Sequence, residues 1–371
     1  MRICYVLLSP TFGMHQYTAD LANRMVQAGH EVSLVTTSHY PRDRYLPEIR
    51  VCTPVDTQDT GFSADALRFS GARDAQAEIG ALLPDVVHIT GPHAWNVTLL
   101  WMLRQTETQV VHSLHDLEPH SGSPYGRLLH VWNQGILRQA DQILVHGRRY
   151  RQQLVEKGLS PEQVTYTPLL HLSLGAAWLE QLNSLAAAVR HEPWGLFFGR
   201  IERYKGVDHL LNAAAALDGQ PQEIQRLVLA GPGDVGVLWS KPLPPGVEVR
   251  GGLIGDDETL DLFRRCGVVI LPYRDATQSA LIGHAYYFRK PVIVTRTGAL
   301  PEYVVEGETG WVVPPEDPQA LADALQEALS DPMRLARMGE AGRAWYDGAR
   351  KNEEMTLQQM YAKLAGKGAR W

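Results

Sequence analysis

The sequence is poor in cysteine and lacks long apolar runs. Among its 371 residues there are three cysteines, Cys4, Cys52 and Cys266, which are far apart in the chain. This number and spacing do not indicate a disulfide framework, so we predict buried, reduced thiols at Cys4 and Cys266 and a reducing compartment. The apolar start of the chain is too short for a signal peptide, and no run approaches the roughly 20 residues that span a bilayer. We therefore expect a cytoplasmic protein, and leave open a peripheral position on the inner face of the membrane.

An excess of positive charge is also missing. The formal net charge is −6, which gives no bulk attraction to nucleic acid, so we expect no nucleic-acid partner. Hydrophobic residues make up 44% and charged residues 20%, values that indicate a folded protein with a full hydrophobic core. The length favours about two domains. The sequence also lacks short-period repeats and low-complexity segments.

Short apolar segments alternate with amphipathic helical segments along the chain, a pattern that predicts an α/β fold with parallel sheets. One series of predicted strands extends from residues 3–9 to residues 164–166, and a second begins at residues 195–199. The strand pattern lapses between them, where we predict a linker with some helix in residues 174–189. Gly29 is suited to end the first helix in a left-handed conformation, and Asp317 is suited to cap the start of a later helix.

These patterns predict two doubly wound, Rossmann-like domains in tandem. We assign residues 1–170 to an N-terminal domain, 171–191 to a linker and 192–349 to a C-terminal domain, with residues 350–371 forming a helix. Open α/β sheets bind ligands at the carboxyl ends of their strands, and helix N-termini attract phosphate. The two domains are therefore expected to bind an anionic ligand.

Residues 198–208 carry the strongest local signal for a binding site. A predicted buried strand ends at Gly199, Arg200 follows at its tip, and Lys205-Gly206 stands directly before the next helix. Two cations and a helix N-terminus that converge in this way predict a diphosphate site that needs no metal ion. The alternative is a pair of solvated surface cations.

This segment resembles a known family. Gly199-Arg200 followed by Lys205-Gly206 is similar to the donor-phosphate motif of the retaining family-4 glycosyltransferases, which have the GT-B fold. Further segments similar to this family occur in the expected order along most of the chain: residues 10–13, 28–32, 85–88, 114–116, 229–234, 290–294, 298–302 and 307–311.

The resemblance implies two Rossmann-like domains that face each other across a cleft, with the C-terminal helix crossing back onto the first domain. It also implies transfer of a sugar from a nucleoside diphosphate sugar to a hydroxyl acceptor, with retention and without a metal or cofactor. UDP is slightly favoured over GDP. The implied acceptor is a glycan, a lipid-linked glycan or a small molecule, in the biosynthesis of a polysaccharide or glycoconjugate.

The family also implies roles for individual residues. Arg200 and Lys205 would hold the donor diphosphate and stabilise the negative charge of the leaving group. His115 would lie near the donor sugar, and the Gly13 backbone would approach the phosphates and the acceptor. Gly199 would belong to the same phosphate site.

The loop before a later helix would complete this site. The backbone N–H groups of Gln278, Ser279 and Ala280 are expected to bind phosphate oxygens.

The sequence departs from the family at two positions. Family members usually carry two glutamates separated by seven residues before the Lys-Pro-Val-Ile segment, and here Ala276 and His284 occupy these positions. The second glutamate normally binds the ribose hydroxyls, a contact that His284 could make through one ring nitrogen. Asp275 could replace the first carboxylate.

Several alternatives stay open. A nucleotide-sugar epimerase or a phosphorylase could have the same fold, and a binding subunit without catalytic activity fits the two changed positions. We predict no metal site, although His112, His115 and His120 with Asp116 and Glu118 could be taken for one.

Membrane contact is a further alternative, because tryptophans and arginines can anchor a helix at a lipid surface. Otherwise these residues are core tryptophans and a solvated basic turn. They are Trp95, Trp101, Trp132, Arg148, Arg149 and Arg151.

Overall fold

The protein consists of two compact units. The computed structural model describes residues 1–57, 70–117, 126–219 and 226–368. The first unit comprises Met1–Leu179 and Asn352–Trp371, and the second comprises Glu180–Lys351. The change from one unit to the other after Leu179 falls within residues 171–191, the segment expected to be the linker.

The first unit is built on a parallel sheet. Its strands are β1 (Arg2–Leu7), β2 (Glu31–Thr37), β3 (Arg50–Val55), β4 (Val86–Ile89), β5 (Gln109–Ser113), β6 (Gln142–Val145) and β7 (Val164–Tyr166). Within the described residues this sheet has seven strands in the order β3-β2-β1-β4-β5-β6-β7. The order reverses direction beside β1, which gives the doubly wound topology expected of a Rossmann-like domain.

The helices of this unit connect successive strands. They are α1 (Phe12–Gln27), α2 (Ser70–Leu82), α3 (Asn96–Leu103), α4 (Gly126–Gln139) and α5 (Arg148–Glu156), and a short α6 (Leu182–Ala187) follows at the start of the second unit. Strands β1, β2, β4, β5 and β6 are almost fully buried, because helices that cross between parallel strands cover both faces of the sheet, whereas the edge strands β3 and β7 are partly exposed.

The second unit repeats this architecture. Its strands are β8 (Gly195–Phe198), β9 (Leu227–Gly231), β10 (Val247–Gly251), β11 (Val268–Leu271), β12 (Val292–Thr295) and β13 (Gly310–Val313). They form, in the described residues, a six-stranded parallel sheet in the order β10-β9-β8-β11-β12-β13. The helices are α7 (Val207–Ala216), α8 (Val235–Leu238), α9 (Asp256–Arg265), α10 (Leu281–Tyr287), α11 (Pro318–Ser330) and α12 (Pro332–Gly368).

The last helix, α12, contributes to both units, because its residues from Asn352 onward belong to the first. Its Tyr361 is fully buried there, and the Tyr361 hydroxyl lies 2.6 Å from His88 Nδ1 and 3.1 Å from the Tyr5 hydroxyl. On the other side of its ring, His88 Nε2 lies 2.8 Å from Ser113 Oγ. A chain of buried hydrogen bonds therefore joins α12 to strands β1, β4 and β5.

The predicted helix ends are confirmed. Gly29 follows α1 with φ of 82°, a left-handed conformation that favours glycine. The Asp317 side chain accepts a hydrogen bond of 3.0 Å from the Ala320 amide and so caps α11. The helix predicted in residues 174–189 is confirmed in part by α6 and by a 3₁₀ turn at Ala176–Trp178.

The cysteine and tryptophan predictions have mixed outcomes. Cys4 and Cys266 are buried free thiols, as predicted. Trp95 and Trp132 lie in the core, but the core interpretation is wrong for Trp101, of which 60% is exposed because α3 turns this residue outward. In the part of the chain that the structure describes, no helix is long and apolar enough to cross a membrane.

Candidate functional site

The two predicted phosphate-binding cations lie on one turn of the second unit. Strand β8 ends at Phe198, and Gly199 follows with φ of 121°, its amide donating a 2.8 Å hydrogen bond to the Ala230 carbonyl. A 3₁₀ turn then spans Arg203–Lys205, and Gly206, with φ of 68°, leads directly into α7. We call residues 199–206 the cation turn. It places both cations between the carboxyl end of a strand and a helix N-terminus.

Close backbone packing explains the glycine that ends the cation turn. A Cβ atom at Gly206 would stand 1.9 Å from the Pro272 carbonyl oxygen, so any other residue would clash as well as being strained. The Tyr204 carbonyl accepts a 2.9 Å hydrogen bond from the Arg274 amide. The loop after β11 is therefore held against the cation turn through backbone atoms.

Lys205 has aromatic neighbours. Its Nζ lies 3.7 Å from the centroid of the Tyr273 ring and 5.2 Å from that of the Tyr204 ring. Within the described residues the ammonium has no ion-pair partner. Burial lowers the pKa of Lys205 to about 8, although the adjacent Tyr204 opposes this shift. At neutral pH Lys205 therefore carries a positive charge, and in the part of the chain that the structure describes no carboxylate forms an ion pair with it.

Arg200 is more exposed than Lys205 and is linked to it through Tyr204. Its Nη1 forms an ion pair of 3.1 Å with Glu202, and its Nη2 donates a 3.0 Å hydrogen bond to the Tyr204 hydroxyl. The Arg200 side chain is 64% exposed, so the Glu202 ion pair contributes little to stability and leaves the guanidinium accessible to a ligand.

An ion pair fixes the loop after β11. Arg274 pairs with Asp208 in the first turn of α7, and its Nη1 lies 3.5 Å from Glu316. Asp208 is therefore paired with Arg274. Asp275, the residue after Arg274, contacts the cation turn through its backbone: its amide nitrogen lies 3.5 Å from the Tyr204 carbonyl oxygen.

The loop expected to complete the phosphate site lies next to Tyr273. Ser279 is nearly buried, and its Oγ lies 3.5 Å from the Tyr273 hydroxyl. In the described residues the Ser279 and Ala280 amides have no hydrogen-bond acceptor, while Gln278 is partly exposed. A Cβ atom at Gly199 would be 3.9 Å from the Leu281 side chain. The structure thus brings this loop, the cation turn and Tyr273 together.

The two positions that depart from the family pattern are both buried. Ala276 is 5% exposed, and its carbonyl oxygen would be 1.7 Å from a Cβ atom at Gly298. His284 in α10 has no exposed surface, and its ring packs 4.2 Å from the Phe263 ring and 5.3 Å from the Phe288 ring, measured between centroids. A contact between His284 and a ribose remains a prediction.

Gly13 and His115 belong to the first unit. Gly13 lies in the first turn of α1, and among the described residues no atom outside its own helical turn lies within 4 Å of the position of a Cβ atom there. His115 follows β5 and is 7% exposed. Its Nε2 donates a 2.9 Å hydrogen bond to the Thr90 carbonyl, and its ring lies 4.9 Å from the Tyr17 ring.

The electrostatics of His115 favour a neutral imidazole. Burial is the main cause that lowers its pKa, and the hydrogen bond to Thr90 opposes the shift. With the proton on Nε2, the ring is oriented by Thr90 and by the surrounding aromatic residues.

The alternative metal cluster lies partly outside the described residues, because Glu118 and His120 are not among them. In the segments that are described, no group of three or more His, Cys, Asp or Glu residues has a metal-binding arrangement. His112 instead contacts Asn96, with Nε2 and Nδ2 3.1 Å apart.

Two family models match the chain. The model for glycosyl transferases group 1 matches residues 192–331, and that for the glycosyl transferase 4-like domain matches residues 12–169. The chain belongs to the family-4 glycosyltransferases. The two matches correspond to the two units, so this membership rests on most of the chain.

Relatives and solved structures agree with this assignment. D-inositol 3-phosphate glycosyltransferase from Corynebacterium urealyticum is 26% identical, over 94% of this chain and 89% of that protein. The enzyme of the same name from Streptomyces avermitilis is 25% identical, over 89% and 78%.

Among solved structures, sucrose-phosphate synthase from Thermosynechococcus elongatus has a TM-score of 0.75 at 21% identity, covering 98% of this chain and 99% of that one. Anabaena HepE in complex with UDP-glucose has a TM-score of 0.70 at 16% identity, covering 98% and 100%. The glycosyltransferase therefore has the two-domain GT-B fold, as expected.

Two residues of the candidate site were not predicted from the sequence. Tyr204 lies within the predicted motif, between the two cations, and its position could have signalled a link between them. Tyr273 is the second residue after β11, at the carboxyl edge of the same sheet. Its approach to Lys205 depends on how two loops distant in sequence pack together.

Proposed function

We propose that this glycosyltransferase uses a nucleoside diphosphate sugar as donor and that Arg200 and Lys205 bind its diphosphate. The observation that carries the proposal is the cation turn, where an exposed guanidinium and an ammonium without an ion-pair partner in the described residues precede a helix N-terminus. Charge-assisted hydrogen bonds and helix N-termini are the features that bind phosphate most strongly.

The known proteins support this donor class. Anabaena HepE, which has the same fold, has been solved with UDP and with UDP-glucose. The two sequence relatives described above are both named D-inositol 3-phosphate glycosyltransferase. We favour UDP over GDP and expect a hydroxyl group of a glycan, a lipid-linked glycan or a small molecule as acceptor, in the biosynthesis of a polysaccharide or glycoconjugate.

For the reaction we propose attack on the face of the sugar that the diphosphate leaves. The bond between the anomeric carbon and the β-phosphate oxygen breaks, the acceptor oxygen bonds to the same face, and the acceptor proton passes to the leaving phosphate. The configuration is then retained. Arg200 and Lys205 stabilise the charge that develops on the leaving diphosphate, a role that a metal ion would otherwise fill.

Other residues have supporting roles in this proposal. We assign the neutral His115 to the donor sugar, and the Gly13 backbone to the phosphates and the acceptor. Gly199 and the amides of Ser279 and Ala280 serve the phosphates, together with Gln278 of the same loop. Asp275 supplies the carboxylate that Ala276 cannot.

A second candidate is a nucleotide-sugar-binding subunit without transferase activity. The specific observation in its favour is the burial of His284 between two aromatic rings, at a position where the family uses a ribose-binding glutamate. Ala276 likewise removes a carboxylate from the sugar side of the site. His284 and Ala276 therefore favour a protein without transferase activity, but neither residue argues against diphosphate binding.

Peripheral membrane contact also belongs to the proposal. Trp101 is the exposed tryptophan on α3, whereas Arg148 and Arg149 pack on tyrosine rings, with Cζ 5.5 Å from the Tyr166 centroid and 5.6 Å from the Tyr150 centroid. The exposed Trp101 is the residue that suits contact with a lipid surface that carries a lipid-linked acceptor.

The test is an assay of nucleotide release from a panel of UDP- and GDP-sugars, with and without hydroxyl acceptors. Release that depends on the acceptor, with a product whose anomeric configuration by NMR matches the donor, is the expected result. Release without any acceptor would instead indicate an epimerase. Donor binding without release across the acceptor panel would favour the binding subunit.

A further inference from the structure

We propose that Tyr273 is a positioning residue, whose ring holds the Lys205 ammonium in place for the donor diphosphate. The inference rests on the function proposed above. It assigns to an aromatic residue a task that an acidic partner usually performs for a half-buried lysine.

The geometry of Lys205 supports this role. Its Nζ lies 3.7 Å from the centroid of the Tyr273 ring, well within the distance of about 6 Å at which a cation is attracted to an aromatic face. The centroid of the Tyr204 ring lies 5.2 Å from the same Nζ, so two aromatic rings face the Lys205 ammonium. Tyr273 is the closer of the two rings, and Tyr204 also hydrogen-bonds to Lys205 through its side chain.

An aromatic ring affects the Lys205 ammonium differently from a carboxylate. A carboxylate would neutralise the ammonium and would compete with phosphate oxygens for its hydrogens. The face of a ring attracts the cation through its quadrupole, carries no net charge and leaves the N–H donors available. Lys205 can therefore be held in one position and still offer its full charge to a diphosphate.

Tyr273 is itself held firmly. It has no exposed surface, its carbonyl accepts a 2.5 Å hydrogen bond from Thr295 Oγ1, and its hydroxyl lies 3.5 Å from Ser279 Oγ. Burial raises the pKa of Tyr273 to about 12, so the ring stays neutral at physiological pH. The Tyr273 side chain thus also contacts the loop whose amides we propose to bind the phosphates.

Tyr204 links the second cation to the first. Its hydroxyl accepts a hydrogen bond of 3.0 Å from Arg200 Nη2 while its ring faces Lys205. Tyr204 therefore connects the two cations, whereas Tyr273 contacts Lys205.

The test is a double-mutant cycle on UDP affinity, measured by calorimetric titration of the full-length protein. Tyr273→Leu should weaken UDP binding about 3- to 30-fold, because the attraction of the ring for the cation is lost. Tyr273→Phe, the matched control, keeps the ring face and should stay within about 2-fold of the original protein. In a Lys205→Ala background, Tyr273→Leu should have no further effect, since the two residues act on one contact.

A second series covers the case in which Tyr273→Leu fails to fold. Phenylalanines with increasing numbers of ring fluorines, introduced at position 273, keep the shape of the ring but progressively withdraw its electron density. UDP affinity should fall with each added fluorine.

The outcomes separate this inference from the proposed function. If Lys205→Ala weakens UDP binding but neither Tyr273→Leu nor fluorination does, the positioning role of Tyr273 is overturned and the diphosphate site stands. An equal loss from Tyr273→Leu with and without Lys205 would also overturn it, as this indicates a general structural role. If Lys205→Ala binds UDP as tightly as the original protein, the proposed function itself fails.

Discussion

At the scale of single residues, the two cations of the candidate site differ in kind. Arg200 is exposed, and its planar guanidinium suits bidentate contacts with phosphate. Lys205 is half-buried, and burial brings its pKa down to about 8, so its charge depends on pH in the physiological range. The charge of Lys205 can therefore make diphosphate binding sensitive to pH.

We predict that UDP binding weakens as the pH rises through about 8. Lys205 is charged below its pKa of about 8 and loses its proton above it, and a bound diphosphate favours the charged form. The charged and titratable groups that face it are Tyr204, Tyr273, Arg200 and Glu202. Titration of UDP between pH 6.5 and 9.5 measures the effect.

The matched control for this prediction is Lys205→Arg, which keeps a permanent charge. It should bind UDP with an affinity that changes little across the same pH range. A fall in affinity that is equally steep in both proteins would assign the pH dependence to another group.

At the scale of secondary-structure elements, the C-terminal part of α12 is attached to the first sheet by polar contacts as well as apolar ones. The Tyr361 hydroxyl lies within hydrogen-bond distance of His88 and Tyr5, and Ser113 extends the chain to the Tyr17 hydroxyl, 2.8 Å away. Every member of this chain is buried, so a missing partner is costly.

We predict that Tyr361→Phe lowers the free energy of unfolding of the first unit by about 1–3 kcal/mol. The substitution leaves the ring in place but removes the hydrogen-bond partner of His88 Nδ1, so a buried polar atom loses its partner. Urea denaturation measures the change. Tyr40→Phe is the control, because the Tyr40 hydroxyl has no hydrogen bond to any of the described residues, and it should change the stability by less than about 0.5 kcal/mol. Equal losses in the two variants would refute the hydrogen-bond account.

Much of the secondary structure could be predicted from the sequence. The alternation of apolar and amphipathic segments is a local property, as are the caps at Gly29 and Asp317, so these predictions needed no tertiary information. The motif at Arg200 and Lys205 was likewise recognisable. Tyr273 was not, because its role arises from contact between loops separated by some 70 residues, which no local pattern records.

At the scale of the whole molecule, the first unit contains several buried histidines. Burial lowers the pKa of His15 and His93 to about 4, and that of His88 and His112 to about 3, from an ordinary value of 6.5. These rings are neutral in the folded protein at pH 7.

We predict that acid destabilises the first unit before the second. The pKa values of these histidines in the folded protein lie below the value of 6.5 in the unfolded chain. Their neutral forms therefore stabilise the folded state fully above pH 6.5, and this stabilisation is lost as the pH falls toward 4. Each such histidine contributes at most about 1.4 kcal/mol per pH unit. Hydrogen exchange of peptides from each unit at pH 7 and pH 5 measures this, after correction for intrinsic rates.

His112→Gln provides the control for acid lability, since it removes one titrating group from the first unit. It should make the loss of stability with acid less steep by up to about 1.4 kcal/mol per pH unit. Equal acid sensitivity of the two units would show that the buried histidines do not govern this behaviour.

The central claim is that the second unit carries a diphosphate site with Lys205 at its core. Calorimetric titration of UDP, GDP, ADP and dTDP into the protein and into Lys205→Ala tests it most directly. Lys241→Ala is the control, because this lysine lies elsewhere in the same unit, against the Trp239 ring. We predict that UDP binds, that Lys205→Ala loses about 1.5–3 kcal/mol of binding free energy, and that Lys241→Ala loses none. If no nucleotide binds, or if Lys205→Ala binds as tightly as the original protein, the assignment of the diphosphate site is wrong.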